Sequence, residues 1–215
     1  MKRLVAVFAA ALMILAIAAP AMGQAAVRIH LIHGIPDTPV DVYVDDAVVF
    51  DNFNFGDTQD LSALAGETLV NLQVKLAGTD TVAIDAGDVA LPASGNYSII
   101  ANLDAAGTPT LTVFENDTSA IAAGEGRLQV RHVAAAPAVD VKANGDVAFP
   151  ALSNPDEAKA DLPAATYSVE VVPAGEADPV VIGPADIAVN DGDSLIVYAV
   201  GSLEAGSLTV LTESI

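Results

Sequence analysis

The chain carries three histidines, His30, His33 and His132, and no cysteine. Thiolate zinc sites, disulfides and a cysteine nucleophile are therefore excluded, and any metal or base chemistry falls to those histidines and to 28 acidic side chains. His30 and His33 stand three apart in a strand-like segment, so they point to opposite faces and do not jointly hold one metal. No histidine pair has the i, i+2 or i, i+4 spacing of a zinc or copper site. Serine chemistry lacks a Gly-x-Ser-x-Gly elbow, and Ser98 and Ser168 fall inside strand-like runs. Carboxylate pairs for glycoside hydrolysis would have to come from acids that mostly sit in turns or on alternating solvent positions. Three oxygen-rich turns, Asn190-Asp191-Gly192-Asp193, Asp85-Ala86-Gly87-Asp88 and Asp45-Asp46, are of the kind calcium uses. None follows the EF-hand loop pattern, and Asx turns satisfy their own backbone without an ion. Plain turns are the reading, with calcium the one cofactor left open.

His33 and His132 share more than residue type. Each precedes a loop and then a Val-Asp-Val strand, Val40-Asp41-Val42 and Val139-Asp140-Val141. Each His is expected to bond backbone or the Asp of that strand, Asp41 or Asp140, and so to clamp the loop. His33, Asp41, His132 and Asp140 are thus structural candidates, with no catalytic, cofactor or metal role expected. A further candidate is aromatic. Phe50-Asp51-Asn52-Phe53-Asn54-Phe55 places three rings on one side of an extended stretch, and Phe53 and Phe55 either close the end of a core or form a patch for a partner. Without Trp, and with four Tyr, a carbohydrate platform is poorly supplied.

The elements that position these residues come as an internal repeat. An offset of 99 aligns Arg28 with Arg127, His33 with His132, Val40-Asp41-Val42 with Val139-Asp140-Val141 and Phe50 with Phe149. Further on the offset reads as 97, matching Gly78 with Gly175, Gly95-Asn96 with Gly192-Asp193 and Leu111-Thr112-Val113 with Leu208-Thr209-Val210. Each copy reads as about seven short strands, several alternating apolar and polar, as in Val40-Asp41-Val42-Tyr43-Val44. Turn signals such as Asn144-Gly145 and Ser94-Gly95-Asn96 punctuate them. The weak helix signals at Gln59–Leu64 and Pro155–Ala160 are read as loop or a single turn. The expected fold is all-β: two tandem immunoglobulin-like antiparallel β-sandwiches over residues 24–118 and 119–215, each expected to fold alone.

The opening motif of the first copy, His33-Gly34-Ile35-Pro36-Asp37-Thr38-Pro39-Val40-Asp41-Val42-Tyr43-Val44-Asp45, resembles the start of the bacterial family called domain of unknown function 4397. The second copy, His132-Val133-Ala134-Ala135-Ala136-Pro137-Ala138-Val139-Asp140-Val141, is similar in weaker form. It lacks the first-loop Asp and has Lys142 where Tyr43 stands. The resemblance spans both copies. It implies exported, often envelope-associated β-sandwich proteins and no particular activity.

Residues 1–23 read as a secretory signal peptide: Met1-Lys2-Arg3, an apolar run from Leu4 to Ala19, and small residues before a cut after Gly23. Cleavage leaves 28 acids against six bases, a net of −22. Such a surface disfavours nucleic acid and anionic membranes. No membrane span is expected after cleavage. The expected function is an exported, non-catalytic protein of the cell envelope or extracellular space, structural, adhesive or partner-binding, with an unspecified protein or glycan partner. The alternative is a secreted ligand-binding protein or hydrolase using loop carboxylates.

Overall fold

The computed structural model describes residues 26–215, so the leader expected over residues 1–23 lies outside the described residues. The first half holds β1 (Arg28–His33), β2 (Val40–Val44), β3 (Ala47–Phe53), β4 (Thr58–Asp60), β5 (Thr68–Leu76), β6 (Val82–Ala90), β7 (Asn96–Leu103) and β8 (Pro109–Glu115). The second holds β9 (Glu125–His132), β10 (Val139–Ala143), β11 (Asp146–Leu152), β12 (Glu157–Pro163), β13 (Ala165–Pro173), β14 (Ile182–Val189), β15 (Ser194–Val200) and β16 (Thr209–Ser214). Sheets β4-β1-β7-β8 and β3-β2-β5-β6 make one sandwich, and β12-β9-β15-β16 and β11-β10-β13-β14 repeat that order in the other. All strand pairs are antiparallel except β1–β7 and β9–β15, which run parallel. A parallel pair needs a long crossover, and here the chain crosses through the other sheet before returning.

Alternation along the strands supplies each core. Ile29 and Leu31 of β1 meet Val40 and Val42 of β2, Leu72 and Val74 of β5 and Ile99 of β7. Leu128, Val130, Val139, Val141, Val171 and Val197 do the same in the second sandwich. The hairpins β2–β3 and β10–β11 turn on two residues each, with positive φ at Asp45 (49°), Asp46 (62°), Asn144 (52°) and Gly145 (89°). Asp45-Asp46, a candidate calcium turn, is thus a tight hairpin corner.

Two expectations need correction. Each sandwich has eight strands, because β4 and β12 fall where loop or a single turn was expected. The Ala- and charge-rich β12 segment has weak strand propensity, but it sets Glu157 opposite Arg131 and Asp161 opposite Arg127 on β9, and those pairings hold it as an edge strand. A single 3-10 turn, Ser62–Leu64, follows β4. The offset of 97 also fails in the last strands. Ala101 pairs with Leu111 and Ala199 with Val210, so the counterpart of Leu111 is Val210 rather than Leu208. Sheet register, which fixes which face each side chain takes, decides this.

A third core lies between the sandwiches. Ile32 and Ile100 point out of the first sandwich and pack with Val133, Ile196, Tyr198 and Val200 of the second, flanked by Phe55, Phe114, Leu211 and Ile215. The central strands β1, β7, β9 and β15 are therefore covered on both faces.

Candidate functional site

The repeated histidines come first. His33 is fully buried, and its Nε2 lies 2.6 Å from the Thr38 carbonyl, which only accepts, so Nε2 carries the proton. Its Nδ1 then accepts from the Ile35 N–H at 3.5 Å. His132 repeats this wiring, with Nε2–H to the Pro137 carbonyl at 3.0 Å and Nδ1 facing the Ala134 N–H at 3.3 Å. Burial pushes both imidazoles below the ordinary histidine value, only partly offset by those carbonyls. With both nitrogens engaged and the ring neutral, neither is available as a base or ligand.

The strand aspartates do not touch the histidines; they pin other loops. Asp41 accepts from the Asn52 N–H at 2.8 Å and the Gly78 N–H at 2.9 Å. Asp140 accepts from the Ala151 N–H at 2.7 Å and the Gly175 N–H at 2.9 Å. These donors hold both carboxyls below the usual range. In each copy, then, His ties the loop before the Val-Asp-Val strand, and Asp ties the loops after it.

Of the two readings of Phe53 and Phe55, end of a core or patch for a partner, the packing matches the first. Phe53 is buried in the first core, with its ring stacked on His33 at 5.8 Å between centroids. Phe55 packs against the third core. The bulge in β3 turns the Phe53 ring into the first core, while Phe55, past the end of β3, meets the seam between the sandwiches.

Sequence reasoning missed the polar cluster at the seam. Arg131, wholly buried, donates from Nε to Glu157 at 2.6 Å, from Nη1 to the Tyr198 hydroxyl at 2.8 Å and from Nη2 to Asn116 Oδ1 at 2.8 Å. Its guanidinium also lies 4.3 Å from the centroid of the Phe114 ring. Glu213 reaches into the first sandwich, where it takes the Ser98 hydroxyl at 2.6 Å and His30 Nδ1 at 2.6 Å, while also accepting from Tyr198 at 2.8 Å. Burial raises the Tyr198 hydroxyl above its ordinary value, so it remains a donor. The one sequence signal was Arg131 itself, which shares with Arg127 and Gln129 the face opposite Leu128 and Val130, a polar face on a central strand.

Ser98, His30 and Glu213 have the residue types of a hydrolytic triad, but the wiring is inverted. A triad sets the imidazole on the serine and the acid behind the imidazole. Here the carboxylate holds both partners, and the serine is fully buried. The cluster fastens two domains.

A second charged group fastens the connection between β8 and β9. Arg127 forks onto Asp161 at 2.7 and 2.9 Å and reaches Asp117 at 2.9 Å. Lys159 meets Asp117 at 2.7 Å, and with Ser119 it holds that carboxyl well below the usual range. The recess here, of about 430 Å³, is lined by Glu115, Asp117 and Lys159. With Asp117 tied to three side chains, it does not present two free acids.

The remaining calcium candidates have backbone partners. Asp85 accepts from the Gly87 N–H, Asp88 from the Asn71 N–H and Asp191 from the Gly124 N–H. Among the described residues, no group of three or more His, Asp or Glu side chains is placed to hold a metal ion. Among the same residues, no helix is long and apolar enough to cross a membrane.

A family model with the description Domain of unknown function (DUF4397) matches residues 25–142, from the start of β1 into β10. No curated protein matches the chain.

Proposed function

The chain belongs to the DUF4397 family, and from that premise we propose that it is an exported, non-catalytic module of the cell envelope or extracellular space. The two sandwiches act as one stiff body in a structural or adhesive role, engaging a protein or glycan partner. One observation carries this reading. All three histidines, with Ser98 and Glu213, are spent on tying loops and joining domains. A buried, hydrogen-bonded network of this kind restricts the two halves to one arrangement, which suits a spacer or presenting surface. The acidic surface, with 28 acids against eight bases, supports solubility outside the cell.

The test is fractionation of the native host with mass spectrometry of the protein's first residue. An envelope or medium location with an N-terminus at Gln24 is expected, together with a co-purifying envelope protein or glycan. Recovery in the cytoplasm with Met1 intact would overturn the reading.

A further inference from the structure

We propose that the first sandwich is a binding site for a small uncharged apolar molecule of one- or two-ring size, taken up between its two sheets at one end. The site is a cavity of about 240 Å³ whose lining residues are all Leu, Val, Ile or Phe. Its floor is the sandwich core, with Leu31, Leu72 and Ile99 each buried. Its rim carries Val49 and Leu64, which are 46% and 40% exposed, so the opening to solvent is itself apolar. An apolar cavity of about 150 Å³ already takes up benzene, and a larger one of the same lining has room for a substituted ring or two fused rings. Nothing in the lining can pair with a charged group, and burying an unpaired charge is costly. The chain's net charge of −20 further disfavours anions.

The second sandwich supplies the contrast. Its interior cavity, of about 40 Å³, lies elsewhere in the core, lined by Val139, Leu152, Val171 and Val210 at the places of Val40, Phe53, Val74 and Leu111. Ladder positions show what stands at the end that is open in the first sandwich. Leu69 faces Val89 across β5–β6, and Tyr167 faces Ile187 at the same step of β13–β14. The Tyr167 ring packs against the second core, and its hydroxyl donates to the Pro163 carbonyl at 2.8 Å, bridging β13 to the end of β12. One copy therefore carries a packed ring where the other has a shorter side chain beside an open cavity. This inference stands apart from the structural role above, since a stiff module needs no ligand.

The experiment measures binding of toluene and naphthalene to the full chain, by thermal unfolding and by methyl NMR shifts. A saturable rise in melting temperature is expected, with shifts at the methyls of Val42, Leu69 and Val89. Benzoate, the same ring with a charge, is expected to bind at least tenfold more weakly than toluene. Leu69→Tyr, which installs the ring of the second copy at the cavity's edge, is expected to weaken naphthalene at least tenfold. Val49→Phe, at an exposed rim position that leaves the core intact, blocks the mouth independently should Leu69→Tyr fail to fold. No saturable binding, unchanged affinity in a folded blocked variant, equal binding of benzoate, or shifts confined to Val130 and Val141 would each overturn the proposal.

Discussion

The inner faces of the central strands are nearly interchangeable between the two sandwiches, and the outer faces are not. Ile29, Leu31 and His33 of β1 have their counterparts in Leu128, Val130 and His132 of β9, all buried against the facing sheet or loop. Outward, His30 and Ile32 stand where Gln129 and Arg131 do, and Ser98 and Ile100 where Ile196 and Tyr198 do. The same step of the last ladder carries Phe114 opposite Ser98 and Glu213 opposite Ile196. Phe114 then lies over Arg131 and Tyr198, while Glu213 lies over His30 and Ser98, so each copy's last strand covers the other's central pair. Inner faces are held alike by the shared demand of closing a sandwich. Outer faces have diverged into complementary halves of one joint. Such a joint fits one copy against the other, and neither copy offers a matching surface to itself.

Separating the halves near Ala120 should break that comparison most strongly. It uncovers Ile32 and Ile100 on one side and Val133, Ile196, Tyr198 and Val200 on the other. At roughly 1.5–3 kcal/mol per fully buried large side chain, the seam couples the halves by on the order of 10 kcal/mol. Each half should unfold cooperatively alone but well below the whole chain, and the two should associate when mixed. Halves that melt at the temperature of the whole would show that the seam contributes little.

Arg131→Ile gives the second sandwich the residue that the first has at that place. Glu157, Asn116 and Tyr198 lose their common donor, and the expected cost is about 3–5 kcal/mol. For a chain of this size that lowers the melting temperature by roughly 6–20 °C. A neutral or stabilising result in thermal melting would make the seam a simple apolar contact with a dispensable charge.

Acid sharpens what the copies share. Both buried histidines have folded values below the ordinary one, so the unfolded chain takes up protons first as pH falls below about 6.5. Stability is therefore lost on the acid side of that value, with a slope of up to about 1.4 kcal/mol per pH unit per group. Asp41 and Asp140, held low by backbone donors, add a further loss below the ordinary aspartate value near 4. Melting temperatures from pH 7 to pH 3 should fall in these two stages. His33→Gln should flatten the first stage by about half, since His132 supplies the rest. An unchanged slope in that variant would mean that the two clamps are not equivalent.

Salt should have the smallest effect. Screening the excess of carboxylates with sodium chloride should raise the melting temperature slightly, and calcium at matched ionic strength should do no more. A calcium-specific rise of many degrees would place an ion in turns whose aspartates here bond backbone.

Much of the scaffold was legible because a strand with one covered face writes a period of two into its residues. The spans of β2, β5 and β10 followed from that pattern and its turn residues. The strands that escaped, β4 and β12, are edge strands made by their partners, and β12 depends on guanidiniums from β9 that lie about thirty residues away in sequence. The Val-Asp-Val aspartates were visible, but not their targets, since the Gly78 and Gly175 amides come near only when β5 and β13 pair with β2 and β10.

By itself the sequence determined an all-β chain built twice on one plan, rich in carboxylates, with its histidines and aspartates at matched places. Local periodicity and turn chemistry suffice for that, because each acts within a few residues. Only the tertiary structure decided that the outer faces of β1, β7, β9 and β15 are buried, that Ser98, His30 and Glu213 are wired as a fastening, and that Tyr167 packs on one core at the place where Leu69 borders a cavity in the other. Each of these depends on which surfaces meet across a sheet or a domain seam. Neighbours along the chain hold no record of that choice, because it is made by packing between segments up to 183 residues apart.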